Sequence, residues 1–305
     1  MTGWHLGIIG GSGLYALNAL ENPRWVDVDS PWGAASDAVL TGEIAGVPVA
    51  FLPRHGRGHR VPPHQLNARA NIDVLKRLGV TDVLAVSAVG SLNADFAPGD
   101  FVAVDQIIDR TKGRPSTFFE DGIVAHVPLA DPVCPRLTTL AVAAARGALS
   151  AARGAGAGAG AVVHTPATYL AMEGPQFSTR AESRLYQSWG AGVIGMTAMP
   201  EARLAREAEL PYALLAMVTD YDCWHDGGDV DVAEIIRVMG ANAEIARAAV
   251  VALVRSLPVV RTASPIDTVL DTAIITAPEA RAPAALARLD AIMARVGAGA
   301  ASCSA

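Results

Sequence analysis

Short apolar runs rich in β-branched residues recur along the chain, and polar or glycine-rich turns close most of them. Leu6–Ile9, Val47–Leu52, Asp82–Val86, Phe101–Val104, Val162–Leu170, Val193–Met196 and Tyr212–Val218 read as strands. Between several of them the spacing becomes helical, over Pro63–Leu78, Pro135–Ala152, Thr179–Trp189, Pro200–Glu209 and Val232–Leu257. Thr179 and Glu182 form a capping box, and Pro200 suits a first helical turn. Strands this apolar need cover on both faces, and their alternation with helices predicts a largely parallel α/β sheet between helical layers. The glycine–alanine repeat from Arg153 to Gly160 reads as a surface loop, because the alternation continues past it. The expected organisation is one domain over residues 1–257 and an alanine- and proline-rich tail over residues 258–305. The tail is expected to carry one helix near Pro283–Val296 and a frayed end.

Composition narrows the function classes. With 51% hydrophobic and 18% charged residues among 305, the chain can bury a large core, which excludes disorder as its main state. The net charge of −6, without a basic tract, argues against nucleic acid as a partner. Any anionic ligand must therefore be held locally. Three cysteines without CxxC spacing suggest free thiols in a reducing compartment, and the expected location is the cytoplasm. The N-terminal stretch lacks the basic and apolar regions of a signal peptide. No membrane span is expected, since no long apolar run is free of charged residues or breakers.

The candidate chemistry lies in the turns. Strand Leu6–Ile9 runs into Gly10-Gly11-Ser12-Gly13, which can bring backbone N–H groups and the Ser12 hydroxyl to an anion. Gly11, Gly13 and Ala16 also match a dinucleotide fingerprint in form, but Pro23 leaves no room for the long helix that motif needs. Arg54, His55, Arg57, His59 and Arg60 follow another strand. Interleaved arginines and the lack of a Cys, Asp or Glu ligand argue against a metal, whereas Arg54 offers an anion a bidentate fork and His55 a further donor. Ser87-Ala88 and Met196-Thr197 form two more hydroxyl-bearing turns, the latter just before a helix N-terminus. Asp220 and Asp222 end the Tyr212–Val218 strand, and a persisting strand would aim both carboxylates to one side. Such a pair can accept from an amine and hold a proton for a leaving group. In the loop from Glu173, Phe177 could stack on a planar ring or belong to the core.

Taken in order, GIIGGSGLY, PRHGRGH, SAVGSL, PGDFV followed by DQIIDRT, HVPLADPVCP, MEGPQFSTRAES, IGMTAMPEA and TDYDCW resemble the trimeric purine nucleoside phosphorylase family, in the branch that cleaves 5′-methylthioadenosine. The match runs from Gly7 to about Leu257. It implies a single α/β domain with a mixed, partly closed central sheet flanked by helices, and active sites at the subunit interfaces of a homotrimer. It implies phosphorolysis of 5′-methylthioadenosine to adenine and 5-methylthioribose 1-phosphate, with phosphate as co-substrate and neither cofactor nor metal. By this resemblance Ser12, Arg54, His55, Ser87, Ala88 and Thr197 hold phosphate, and Met196 lies under the ribose. Phe177, Ser178, Asp220 and Asp222 surround the base; since cleavage builds negative charge on it, Asp220 is the expected acid toward purine N7. Val232 and a neighbouring subunit's His126 belong to the 5′ side. Gln176 stands where the family carries arginine, and serine replaces threonine at positions 12 and 87. The alternatives are a nucleoside phosphorylase of broader or 6-oxopurine specificity and, more remotely, a nicotinamide-dependent dehydrogenase.

Overall fold

The apolar runs assemble into one mixed sheet of eleven strands in a computed structural model that describes residues 3–11, 13–14, 18–156, 158, 160–225 and 232–300. The strands are β1 (Leu6–Gly10), β2 (Glu21–Val26), β3 (Val39–Ile44), β4 (Val47–Pro53), β5 (Asp82–Ser91), β6 (Phe101–Ala103), β7 (Gln106–Asp109), β8 (Val163–His164), β9 (Thr168–Ala171), β10 (Val193–Gly195) and β11 (Tyr212–Asp220). The helices are α1 (Ala68–Arg77), α2 (Pro135–Gly154), α3 (Arg180–Ser188), α4 (Ala198–Glu207), α5 (Val232–Ser256), α6 (Pro283–Arg288) and α7 (Ala294–Ala300).

Strand β5 is the hub. It pairs in parallel with β1 and β11, and its last two residues pair antiparallel with β10. Since β4 is parallel to β1, the C-terminal ends of β4, β1, β5 and β11 lie at one edge, the edge where open α/β sheets bind ligands. Strand β10 runs the other way, so its C-terminal end returns to that edge beside Ser87.

Both faces of the central strands are buried. Ile9, Val83, Ala85 and Leu214 pack on one side with α1, α4 and the C-terminal segment, and Ile8, Leu84, Val86 and Leu215 on the other with α2 and α5. The capping box on α3 is present, with Thr179 and Glu182 bonding each other's backbone.

Four local expectations change. The β2–β3 hairpin edge was not anticipated: β2 is mostly exposed and carries Pro23, tolerable where no neighbour needs its N–H. The single strand expected over Val162–Leu170 is two, β8 and β9, broken around Pro166, which has no N–H to donate. Helix α1 starts at Ala68, where the Asn67 side chain caps it, and Pro63–Gln65 is a separate short turn. The one helix expected in the tail is two, α6 and α7. Leu270, Leu289 and Ile292 of that segment are buried in the α1/α4 core layer, and the backbone N–H of Leu270 donates to Glu209. Arg261 ion-pairs with Asp267 and with the fully buried Asp82, which also pairs with Arg136.

Candidate active site

Residues in or just after six strands, β1, β4, β5, β9, β10 and β11, line a cavity of about 550 Å³. Arg54 and His55 follow β4. Ser87, Ala88 and Gly90 lie in the second half of β5, which continues as strand where the sequence suggests a turn. Met196 and Thr197 follow β10, Asp220 ends β11, and Asp222 lies just beyond it. Phe177 reaches the wall from the loop before α3. Most of the residues singled out in the sequence therefore converge, although they span the chain from residue 54 to residue 222.

One end of the cavity is lined with hydroxyls and cationic residues. Ser87 Oγ and Thr197 Oγ1 are 3.2 Å apart. Arg54 is 1% exposed, and Glu201 takes its fork: Nε donates to Oε2 at 2.9 Å and Nη2 to Oε1 at 3.0 Å. Nη1 donates to the carbonyl of Val86 and Nη2 also to that of Ile9. Of five guanidinium protons one is left for a ligand, so the bidentate anion contact expected from the sequence is not available. His55 differs too. Its Nδ1 is 2.9 Å from the carbonyl oxygen of Val61, and burial, then the charge of Arg54, hold the ring's pKa down to about 4. Arg60, which also lines the cavity, has a largely exposed side chain.

The other end is acidic. The expectation that strand alternation aims both carboxylates one way fails, because the register shifts between Val218 and Asp220 and Asp222 has φ of 53°. The left-handed turn, rather than the pleat, brings Asp222 back to the cavity. Asp222 N–H donates to Asp220 Oδ1 at 2.8 Å, and Ser183 Oγ donates to Asp222 Oδ2 at 2.6 Å. Thr219 Oγ1 has two acceptors in range, Asp220 Oδ2 at 2.8 Å and the Val89 carbonyl at 3.1 Å. One hydroxyl proton serves either, so the network accommodates Asp220 charged or protonated. Burial raises the pKa of both carboxyls despite these donors.

Three expected residues stand apart from the cavity wall. Ser178 is buried, with Oγ toward Met172 Sδ and its carbonyl accepting from Cys223. Val232 is 56% exposed at the start of α5, while Ile235 and Met239 of that helix line the cavity. His126 is exposed, with its N–H bonded to the Ala273 carbonyl. Ser12 lies outside the described residues. No helix of dinucleotide-fingerprint length can follow the glycine turn, because β2 begins at Glu21.

Glu201, Ser183 and Arg114 had no sequence signal, since none lies in a glycine turn or at the end of an apolar run. Arg114 donates to the carbonyls of Met196 (2.7 Å), Met199 (3.0 Å) and Glu173 (2.6 Å), and to the Glu173 carboxylate at 3.1 Å. It ties the Met196 turn to the loop carrying Phe177. Gly174 in that loop has φ of 69°, and any Cβ there would collide with Met196. Arg114→Met should lower kcat roughly 10- to 100-fold by loosening this wall, with little change in KM. Added guanidinium should restore part of the loss, and steady-state kinetics with and without it check the assignment.

A cavity joining hydroxyls and a buried arginine to a pair of carboxyls at the C-terminal edge of an α/β sheet suits an enzyme acting on a small molecule. The profile of the Phosphorylase superfamily matches residues 5–255, and the chain belongs to that family. It is 54% identical over 294 residues to the S-methyl-5′-thioadenosine phosphorylase of Cereibacter sphaeroides, covering 95% of this chain and 98% of the relative. It is 53% identical over 300 residues to that of Bradyrhizobium diazoefficiens, covering 97% and 99%. A crystal structure of methylthioadenosine phosphorylase sourced from an antarctic soil metagenomic library superposes with a TM-score of 0.89 at 45% identity, covering 96% of this chain and 99% of that one. Methylthioadenosine phosphorylase from Schistosoma mansoni in complex with adenine gives a TM-score of 0.76 at 37% identity, covering 83% and 91%.

Proposed function

We propose that this protein cleaves S-methyl-5′-thioadenosine by phosphorolysis, giving adenine and 5-methylthioribose 1-phosphate. The observation that carries the reading is one cavity with hydroxyls and an arginine N–H at one end and two carboxyls at the other, Asp222 buried and Asp220 half-buried. Phosphate at the first end attacks C1′ of the ribose, with Arg54, His55, Ser87, Ala88, Thr197 and Ser12 as its contacts. Met196 supports the sugar, and Phe177 and the Ser178 loop border the base. Asp220 and Asp222 accept from the 6-amine, and Asp220 protonates N7 as the glycosidic bond breaks. The balance closes without a cofactor: the proton that neutral adenine carries away equals the one monohydrogen phosphate gives up on becoming the ester dianion. The carboxyl oxygens that accept from the 6-amine would repel the O6 of a 6-oxopurine, which disfavours inosine.

The site-bearing unit is residues 1–257, and Leu270, Leu289 and Ile292 of the segment that follows complete its α1/α4 layer. The protein works as a cytoplasmic homotrimer in which His126 reaches a neighbour's 5′ pocket next to Val232. A trimer by light scattering, and loss of activity in His126→Ala without loss of melting temperature, are expected; a fully active monomer would overturn the trans role. The reaction is tested by following adenine release from 5′-methylthioadenosine with and without phosphate. Release that ignores phosphate, or inosine cleaved equally fast, would refute the reading.

A further inference from the structure

His55 lines the cavity with a ring nitrogen that can only accept, beside hydroxyls and an arginine N–H that can donate. Its Nδ1 faces the carbonyl oxygen of Val61 at 2.9 Å, and a carbonyl can only accept, so Nδ1 carries the ring proton. The Val61 N–H in turn donates to the His55 carbonyl at 3.0 Å, and the ring stacks on His59 with centroids 4.3 Å apart. Both contacts fix the ring. Burial beside Arg54 keeps it neutral, with a pKa of about 4. Nε2 therefore presents a lone pair, and it takes no hydrogen bond from a described residue. The neighbouring groups at this end, Ser87 and Thr197 hydroxyls and the remaining Arg54 N–H, can all donate.

An oxyanion without a proton would set its lone pairs against that nitrogen. Monohydrogen phosphate has one O–H to give. We propose that His55 Nε2 accepts the O–H of monohydrogen phosphate, so that the site selects protonated oxyanions over sulfate of the same charge. The proposal rests on the phosphorolysis reading and refines it. Holding the protonated oxygen at His55 also leaves the three unprotonated oxygens for the Ser87–Thr197 side and for C1′.

The test compares phosphate and arsenate, which carry an O–H, with sulfate and selenate, which do not. At about pH 8 phosphate and sulfate are both mostly dianions, so net charge does not distinguish them. Leaving a buried acceptor unpaired should weaken sulfate and selenate by roughly 10- to 100-fold relative to phosphate and arsenate, read as competitive Ki values against the phosphate KM. His55→Gln can turn an amide NH₂ to the anion and should narrow the sulfate-to-phosphate ratio to within about threefold. His55→Asn can keep the Val61 contact but has no atom at the Nε2 position, and should also narrow it. Sulfate bound as tightly as phosphate by the wild type, or an unchanged ratio in a folded variant, would overturn the proposal. If neither variant folds, the order of the four anions in wild-type thermal shifts decides it alone. Should that order hold while phosphate releases no adenine, the reaction reading fails and the acceptor role stands.

Discussion

Asp220→Asn should lower kcat for 5′-methylthioadenosine by ~10²–10⁴-fold, the usual contribution of a general acid, with little change in melting temperature. The hydrogen-bond network explains why the effect should be clean. In the native site Asp222 N–H donates to Oδ1 and Thr219 Oγ1 to Oδ2, each at 2.8 Å. An asparagine keeps its Oδ1 for the Asp222 N–H and turns its NH₂ toward Thr219. The threonine hydroxyl then donates to the Val89 carbonyl, already 3.1 Å away, and accepts from the amide. No buried polar group loses its partner, so the fold should hold. What disappears is the proton for N7. The amide also stops repelling an O6 atom, so the ratio of kcat/KM values should shift toward 5′-methylthioinosine. An unchanged ratio, with activity and stability falling together, would mean that Asp220 braces the loop and does not read the base. The sign of the pH dependence follows: burial raises the Asp220 pKa, so its proton persists to higher pH and the acid-dependent rate falls as pH climbs through that raised value.

How legible this site was depended on where each residue sits. Arg54, Ser87 and Asp220 end or follow fully apolar strands, and an apolar run broken by a polar residue is visible without a fold. The parallel arrangement then gathers those ends at one edge. The β2–β3 edge was invisible because β2 faces solvent and its apolar alternation is lost. The β3–β4 turn uses Ala45 and Gly46, at φ of 52° and 75°, in place of the Asn-Gly pair that marks such turns. The partners of the site were hidden for another reason. Glu201 lies on a helix 147 residues beyond the arginine it binds, and Ser183 lies 39 residues before its aspartate. Pairings of that range follow from topology, not local pattern. The sequence suggested Arg54 as a two-pronged anion clamp because nothing nearby announced a competing carboxylate.

That competition sets the second large effect. Arg54→Met should destabilise the protein by about 3–5 kcal/mol, the usual cost of removing one partner from a buried ion pair. Among the described residues only Tyr212, whose hydroxyl donates at 2.8 Å, would still pair with Glu201. The carbonyls of Ile9, near the end of β1, and Val86, in the middle of β5, would lose their donor as well. Methionine fills most of the space, so the loss is electrostatic more than a cavity. Adding Glu201→Gln removes the orphaned charge and should return part of the stability, giving a favourable coupling in a double-mutant cycle. The ligand side should behave differently. The phosphate KM should rise steeply in Arg54→Met and stay high in the double variant, because the one free N–H is still missing. Thermal melts and phosphate kinetics on the four proteins of the cycle separate the two roles. If restoring stability also restored phosphate affinity, Arg54 would act on the anion only through the scaffold, by holding β1, β5 and α4 in register around it.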